Sequence, residues 1–401
     1  MGATRISTAQ FYSQAVDLLR SRFAELARTQ RQLASGRRFA TPSEDPTGAV
    51  RVLKAAEGIA RLEQAQRNVA TARRRLEAEE AALTGGGDIL QRARELAVRG
   101  ANDTLSAADR EAIAREVDGL VEDLLGVANA TDGNGGYLFS GYRVRTAPFA
   151  RKAGGGFEYR GDEGQPRLNL SEGLRIALGD PGTRVFARVP TGNGTFVTGY
   201  AAGNAGTGVI GPGTVQDPTA WVPDTYTITF TTATDWEVRD SASNLIASGT
   251  YTSGGAISFR GISVEITGAP AAGDAFTVQP AQARDAFSAL EALAAALRAP
   301  GGTPADRAKR RMDLNRALQD IDQALERVLE VRAEVGARLN AVDLQEQVNE
   351  DALLAARRAR SSVEDLDYAE AASRMERQLL ALQAAQKSFS RVAGLSLFQY
   401  L

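Results

Sequence analysis

Two stretches decide the fold: YSQAVDLLRSRFAELARTQRQL, from Tyr12 to Leu33, and YAEAASRMERQLLALQAAQKSF, from Tyr368 to Phe389. In each stretch an apolar residue recurs at alternating intervals of four and three, which is the seam of a coiled-coil helix. One glutamine, Gln30 or Gln386, interrupts each seam. Because the seams share period and length, we predict that the first and last helices pair. The alternative is that the two helices pack separately on the body of the protein.

The apolar side chains of these seams are the candidate working residues of the protein. They are Tyr12, Val16, Leu19, Phe23, Leu26, Leu33, Tyr368, Met375, Leu379, Leu382 and Phe389. Further apolar residues of the two ends fit no single seam, and they include Leu18, Leu380, Leu395, Leu397 and Phe398. A helix pair alone would leave the second group in water, so we predict that these side chains meet neighbouring copies. We also hypothesise that the arms become ordered only when those copies cover them.

Helix-start signals divide the rest of the two flanks. Asp45-Pro46, Ser106 with Asp109, and Thr303-Pro304 each combine a capping side chain with a proline or an acid in the first turn. The seam that follows Thr303 predicts a helix to residue 356, about 80 Å long at 1.5 Å per residue, and therefore a rod.

Two further signals predict interruptions of the helices. Three consecutive glycines, Gly85 to Gly87, each weaken a helix by roughly 1 kcal/mol and predict a break or a kink. Ser361-x-x-Glu364 reads as a capping box and predicts that a separate terminal helix begins there.

The middle of the chain has a different composition from the flanks. It holds 26 of the 40 glycines, all between residues 132 and 282. Short β-branched or alternating segments predict strands at residues 157–160, 184–188, 226–230, 236–238 and 262–266. The glycine-rich stretch from Thr191 to Gly213 predicts a long surface loop. This pattern indicates an all-β domain, a sandwich or a barrel of short strands.

The predicted fold class is therefore α+β and multidomain, with a long coiled-coil and helical rod built from both termini and an inserted all-β outer domain. Residues 1–44 with 361–401 are expected to form the terminal arms of an inner tube. Residues 45–150 with 283–360 are expected to form the helical rod, including a short β-hairpin region. Residues 151–282 are expected to form the inserted outer domain.

The composition of the 401-residue chain excludes many chemistries. With no cysteine and no histidine, no disulfide, thiolate nucleophile, Cys/His zinc site or Ser-His-Asp arrangement can form. We predict that the protein is not an enzyme and has no catalytic, metal-binding or cofactor-binding residue. The 47 basic and 49 acidic residues nearly cancel, which gives no reason to expect nucleic acid or a membrane as a partner. No secretory signal peptide or membrane-spanning stretch is expected either.

Several motifs resemble the flagellin superfamily of bacterial flagella. They are Arg5-Ile6-Ser7-Thr8, Gln32-Leu33-Ala34-Ser35-Gly36-Arg37-Arg38, Thr41-Pro42-Ser43-Glu44-Asp45-Pro46-Thr47-Gly48-Ala49 and Asp365-Leu366-Asp367-Tyr368-Ala369-Glu370-Ala371. The Ser-Glu-Asp-Pro version of the third motif, Asp132 to Tyr142, and the Ser396 to Leu401 end are similar to the hook-filament junction branch of that superfamily. The resemblance covers nearly the whole chain and is weakest from residue 189 to 222.

The resemblance implies a structural protein of the extracellular flagellum. It implies an inner coiled-coil tube of terminal arms, a surrounding helical tube and an outer β domain. The implied partners are further copies of the chain, the hook-side junction protein, flagellin, an export chaperone and the flagellar type III export apparatus. The alternatives are a filament flagellin, a secreted adhesin, and an enzyme carried on the β insertion.

Overall fold

The computed structural model describes the backbone of residues 8–394. Six α-helices occupy most of the two flanks of the chain. They are α1 (Thr8–Ser35), α2 (Pro46–Gly100), α3 (Ala107–Ala128), α4 (Ala286–Arg298), α5 (Pro304–Glu364) and α6 (Tyr368–Gly394). Within the described residues, no helix is both long and apolar enough to cross a membrane.

Fifteen short strands lie between α3 and α4. They are β1 (Phe149–Arg151), β2 (Phe157–Tyr159), β3 (Arg167–Asn169), β4 (Arg175–Ala177), β5 (Val189–Pro190), β6 (Phe196–Tyr200), β7 (Val209–Ile210), β8 (Thr214–Val215), β9 (Tyr226–Phe230), β10 (Asp235–Arg239), β11 (Leu245–Thr250), β12 (Ala256–Phe259), β13 (Ile262–Thr267), β14 (Ala275–Pro280) and β15 (Ala283–Arg284). One π-helical turn, Thr183–Ala187, separates β4 from β5.

The chain divides into two compact units. Unit 1 comprises Met1–Arg67 with Glu346–Leu401, and unit 2 comprises Asn68–Gln345. Within unit 1, α1 packs against α6, as the matching seams predict. The end segments of α2 and α5 that belong to this unit are joined by an ion pair between Glu63 and Arg357 at 2.9 Å.

Unit 2 has a first core in which the helices pack against the small hairpins. The antiparallel pairs β1–β2 and β3–β4 contribute Phe149, Phe157 and Ile176 to the same buried cluster as α2 to α5. Phe287 of α4 contacts both strands of the first hairpin, since its ring centroid lies 5.1 Å from that of Phe149 and 4.7 Å from that of Phe157. The hairpins thus cover the helices and exclude water from this core.

The second core of unit 2 lies between two antiparallel sheets. The larger sheet has the order β11-β10-β9-β14-β6, and the smaller has the order β12-β13-β7, with β8 also paired to β13. Alternate residues of β9, from Tyr226 to Phe230, are buried, which is the period of a strand with one face in a core. Ala308 and Met312 of α5 complete this core. The middle of the chain is therefore β-rich, as predicted.

The chain leaves and rejoins the helical part of unit 2 at one place. Strands β5 and β15 pair antiparallel, and the Thr191 N–H donates to the Gln282 carbonyl at 2.9 Å. The two sheets and their core are thus attached to the rest of unit 2 through two adjacent chain segments as well as through α5.

The predicted cap residues are confirmed. The Ser106 hydroxyl accepts from the Asp109 N–H at 3.2 Å while the Asp109 carboxylate accepts from the Ser106 N–H. Thr303 and Asp306 make the same reciprocal pair at the start of α5. Asp45 Oδ1 accepts from the N–H of Gly48, three residues on. These signals could be recognised because a cap is formed by residues adjacent in sequence.

Two predictions about helix continuity are wrong. Helix α2 runs through Gly85, Gly86 and Gly87 without a break, because neighbouring side chains pack against that turn. Helix α5 continues past Ser361 to Glu364, and the new helix begins instead at Tyr368. Oδ1 of the preceding Asp367 accepts from the N–H groups of Ala369 and Glu370. The Ser361 hydroxyl, in the last turn of α5, donates to the carboxylate of Asp365, which directly follows the helix.

Two predictions about the β-rich region are also wrong. Residues 184–188 do not form a strand, since Thr183–Ala187 is the π-helical turn that buries Val185 and Phe186. Residues 191–213 are not a single surface loop, because Phe196–Tyr200 forms β6 and pairs with β14. The buried Phe196 explains why this glycine-rich stretch is ordered as a strand.

Candidate assembly surface

The seam between α1 and α6 places the predicted residues face to face, but it does not bury all of them. Leu26 and Leu382 are buried. The rings of Tyr12 and Phe389 meet edge to face, with centroids 5.7 Å apart. Partly buried seam residues are Val16, Leu19, Leu33, Met375, Leu379 and Phe389. The seam therefore joins the two helices along most of their described length.

Three of the predicted seam residues are exposed to solvent. Phe23 is 60% exposed and Tyr368 is 58% exposed, and Tyr12 is also exposed despite its contact with Phe389. Leu395, Leu397 and Phe398, which we predicted to contact neighbouring copies, lie outside the described residues. The pairing of two helices thus uses only part of the apolar surface of this unit.

The off-seam leucines are exposed in the way the sequence predicts. Leu380 is 69% exposed and Leu18 is 50% exposed. Leu18 also lines an apolar groove of about 400 Å³ between the two helices, together with Leu19, Ala385 and Phe389. A concave apolar surface of this size on a helix pair fits an apolar side chain of another molecule.

Exposed large apolar side chains are concentrated in unit 1. Nine of the fifteen among the described residues belong to it, although the unit has less than a third of the chain. They are Tyr12, Leu18, Phe23, Val50, Leu53, Val348, Leu354, Tyr368 and Leu380. Isolated exposed leucines are ordinary on a protein surface, but such a concentration marks a contact surface. Val50, Leu53, Val348 and Leu354 were not among the residues predicted from the seams, because they lie on the long helices.

The two connecting loops of unit 1 are joined by backbone hydrogen bonds. The Arg38 N–H donates to the Glu364 carbonyl at 2.8 Å, and the Leu366 N–H donates to the Gly36 carbonyl at 3.0 Å. Arg37 and Asp365 form an isolated antiparallel bridge. The loop after α1 and the loop before α6 therefore form one structure, which we call the loop junction (residues 36–45 with 364–367).

Side chains of the motifs quoted from the sequence stabilise the loop junction. The buried Gln32 amide donates to the Arg38 carbonyl. Glu44 Oε2 accepts from the Ala40 N–H at 2.8 Å. This hydrogen bond, with the nearby charges of Arg28 and Arg31, holds the pKa of Glu44 below its ordinary value. These side-chain contacts are local and lie within the first loop, whereas the backbone bonds that join it to the second loop are long-range contacts that the sequence does not show.

No group of three or more acidic side chains among the described residues is placed to hold a metal ion. The described residues that distinguish this unit are apolar and exposed, so its surface is suited to protein contacts.

Comparisons with known proteins agree with this arrangement. Residues 6–144 match the family model of the bacterial flagellin N-terminal helical region, and residues 318–401 match that of the C-terminal helical region. Residues 201–280 match the D2-like domain of flagellar hook-associated protein 1. The helical flanks and the β-rich middle are thus each recognised separately.

Individual relatives differ in how much of the chain they cover. Flagellar hook-associated protein 3 of Salmonella typhimurium is 25% identical over 98% of this chain and 99% of its own length. The crystal structure of the flagellar junction protein FlgL from Legionella pneumophila is 31% identical, with a TM-score of 0.73, over 79% of this chain and 100% of that one. The flagellin of Bacillus subtilis is 34% identical over only 29% of this chain and 39% of its own. The chain belongs to the flagellar hook-associated protein 3 (FlgL) family of hook-filament junction proteins.

Proposed function

We propose that this component of the extracellular bacterial flagellum works as a structural adaptor, by self-association through unit 1. Its copies would form a tube whose inner wall is built from the α1–α6 pairs, between the hook-side junction protein and the flagellin filament. The proposal rests on one observation above all, the concentration of exposed apolar side chains in unit 1. The alternative of a filament flagellin is less supported, because flagellin relatives match only part of the chain.

The partners in this proposal are of three kinds. Copies of the chain would cover Leu18, Phe23 and Leu380 by heterologous contacts, which can close a ring or continue as a helix. The hook-side junction protein and flagellin would meet the two ends of that tube. An export chaperone would cover the apolar arms before passage through the flagellar type III export apparatus. We propose no catalytic step, since the structural relatives and the absence of cysteine and histidine both favour a purely structural role.

We also propose which layer of the tube each of the three predicted domains forms. Residues 1–44 with 361–401 would form the inner tube, residues 45–150 with 283–360 the surrounding helical layer, and residues 151–282 the outer surface. The loop junction supports the first boundary, since it connects α1 and α6 to the long helices at residues 36–45 and 364–367.

The exposed Leu380 tests the proposal, because its side chain contributes little to the α1–α6 pair. We expect L380D to leave the isolated chain folded but to abolish filament attachment to hooks and motility. A charged group in an apolar contact costs several kcal/mol per copy. Electron microscopy of flagella from cells that produce the variant, and circular dichroism of the purified chain, measure the two effects.

A matched control is available in the larger sheet. Leu245 of β11 is 56% exposed, so L245D introduces the same charge at a similar exposure outside unit 1. We expect L245D cells to swim and to carry attached filaments. Normal filaments in the L380D strain would contradict the proposal, and so would equal loss of filaments in both strains.

A further inference from the structure

A loop of unit 2, residues 178–182, is fixed to α2 by a buried carboxyl group. The Asp180 N–H donates to Glu79 Oε1 at 2.8 Å. The Glu79 side chain is fully buried, and Asp180 is 1% exposed. Two carboxyl groups are therefore enclosed side by side, away from water.

The cations around this site contact Asp180, although one buried nitrogen of Arg338, Nη1, has no hydrogen-bond partner among the described residues. Arg338 of α5 contacts the Asp180 carboxylate, and Arg184 Nη1 reaches the same group at 3.1 Å while also pairing with Glu334. Gln165 Nε2 donates to Asp180 as well, at 2.8 Å. These contacts place positive charge and a hydrogen-bond donor on the Asp180 carboxyl group.

A negative charge on Glu79 would be compensated far less by neighbouring groups. Arg75, one turn earlier on α2, directs its guanidinium to the carbonyls of Leu178 and Tyr137 and to Asp132 at 2.7 Å. Among the described residues, none forms a hydrogen bond with Glu79 Oε2, which is buried. An ionised carboxylate with one unsolvated oxygen beside a second carboxylate is strongly disfavoured, whereas a neutral carboxylic acid is not.

We propose that Glu79 is a neutral carboxylic acid in the folded protein, and that loss of its proton frees the 178–182 loop from α2 and α5. The device is a pH-sensitive contact within unit 2, separate from the surface that we propose for self-association. Burial, followed by the charge of Asp180, raises the pKa of Glu79 from 4.5 to about 8, against the smaller opposing effects of Arg338 and Arg75.

The pH dependence follows from linkage. When the loop opens, Glu79 meets water and its pKa returns toward 4.5. Between pH 4.5 and 8 the closed state therefore holds a proton that the open state has lost. The closed state is favoured below this window, and the opening equilibrium rises about tenfold per pH unit through it. Above pH 8 both states are ionised at Glu79, so the opening equilibrium becomes constant.

Hydrogen exchange of the full chain measures this equilibrium. Reporters are the amides of Leu178, Asp180 and Gly182, which donate to Pro166, Glu79 and Phe139 respectively. After correction for intrinsic exchange, we expect opening to increase about a hundredfold from pH 5.5 to 7.5 and then to level off. In E79Q the increase should vanish, because glutamine does not titrate.

The neighbouring residue provides the control. Glu80 is only partly buried and pairs with Arg332, so E80Q makes the same chemical change one position away. We expect E80Q to keep the wild-type pH dependence. The same slope in the wild type and in E79Q, or no slope in the wild type, would overturn the proposal.

A direct measurement covers the case in which E79Q does not fold. Infrared spectroscopy of the wild-type chain, labelled with ¹³C at its glutamate carboxyl groups, distinguishes a neutral glutamic acid from a glutamate. We expect one neutral band at pH 7 that disappears by pH 9.5. Absence of that band at pH 7 overturns the proposal, and the label prevents the buried Asp320 from producing the signal.

Discussion

At the scale of single residues, Gly36 shows how the loop junction is built. Its φ is +69°, a left-handed conformation that costs other L-residues roughly 1–2 kcal/mol. A Cβ at this position would lie 2.7 Å from the Tyr368 hydroxyl oxygen. The residue that directly follows α1 therefore has no side chain, and this allows the Gly36 carbonyl to accept from the Leu366 N–H.

Replacing Gly36 with alanine should destabilise the pairing of α1 with α6 in unit 1. We expect G36A to raise hydrogen exchange in α1 and α6 by about 5- to 30-fold, which corresponds to 1–2 kcal/mol. The control is G58A in α2, where nothing lies within 4 Å of the added Cβ. G58A should strengthen its helix by about 1 kcal/mol, so a destabilising G58A or a neutral G36A would contradict the argument.

Residues differ in how far the sequence reveals their roles. Ser106 and Asp45 were recognised as caps because their partners are three residues away. Ser361 was misread because the same local pattern also occurs inside a helix, where its hydroxyl contacts Asp365. Glu79 was not singled out at all, because the sequence does not show that Asp180, about a hundred residues later, is placed against it.

At the scale of elements, α2 shows tertiary packing overriding local propensity. Its three consecutive glycines predict a break, yet the helix is continuous. The positions of Gly85, Gly86 and Gly87 face Val127 and Val328, among other side chains, without a close contact. Packing on this turn keeps it helical, although the glycines contribute little stability of their own.

Alanine should be accepted at all three glycines of α2. The added Cβ atoms would have their nearest neighbours at 3.6–4.0 Å, which is ordinary van der Waals contact. We expect the triple variant G85A/G86A/G87A to gain about 2–3 kcal/mol in the free energy of unfolding, because each glycine costs about 1 kcal/mol in a helix. Chemical denaturation measures the gain, and a loss of stability would show that the turn must remain free of side chains.

Some strands of the middle region were predicted and others were not, again because contacts distant in sequence decide the local structure. Residues 226–230 alternate between apolar and polar side chains, and they form the central strand β9. Residues 184–188 carry a β-branched and an aromatic residue side by side. Val185 and Phe186 are both buried in the core formed with the helices, and the backbone forms a π-helical turn. Strand β6 was missed because its glycine-rich surroundings hide the one residue, Phe196, that fixes it in the core.

At the scale of the whole molecule, the β-rich middle belongs to two different cores. Residues 149–189 share a hydrophobic cluster with the helices, whereas residues 196–278 form the core between the two sheets. Composition alone predicts one insertion from 151 to 282, because both segments are rich in glycine and aromatic residues. Only the contacts separate them.

Excision of the two sheets tests this division. Thr191 and Gln282 are hydrogen-bonded to each other, so a Gly-Gly turn can replace residues 192–281. We expect this variant to retain the cooperative unfolding of its helices. Deletion of residues 151–282 should abolish it, because Phe157 and Phe186 pack on Phe287. Calorimetry measures whether each variant unfolds cooperatively. Cooperative unfolding of both variants, or of neither, would contradict the division into two cores.

The pairing of α1 with α6 sets an order of events for the newly made chain. The first and last described helices are partners, separated by more than 330 residues of intervening chain. If the chain is exported through a narrow passage, as we propose, the end that leaves first must wait for the other before the seam can close, while the sheets and caps between them can form from nearby residues. On that proposal the α1–α6 pair would be completed last, after the whole chain has arrived at the place where it is added.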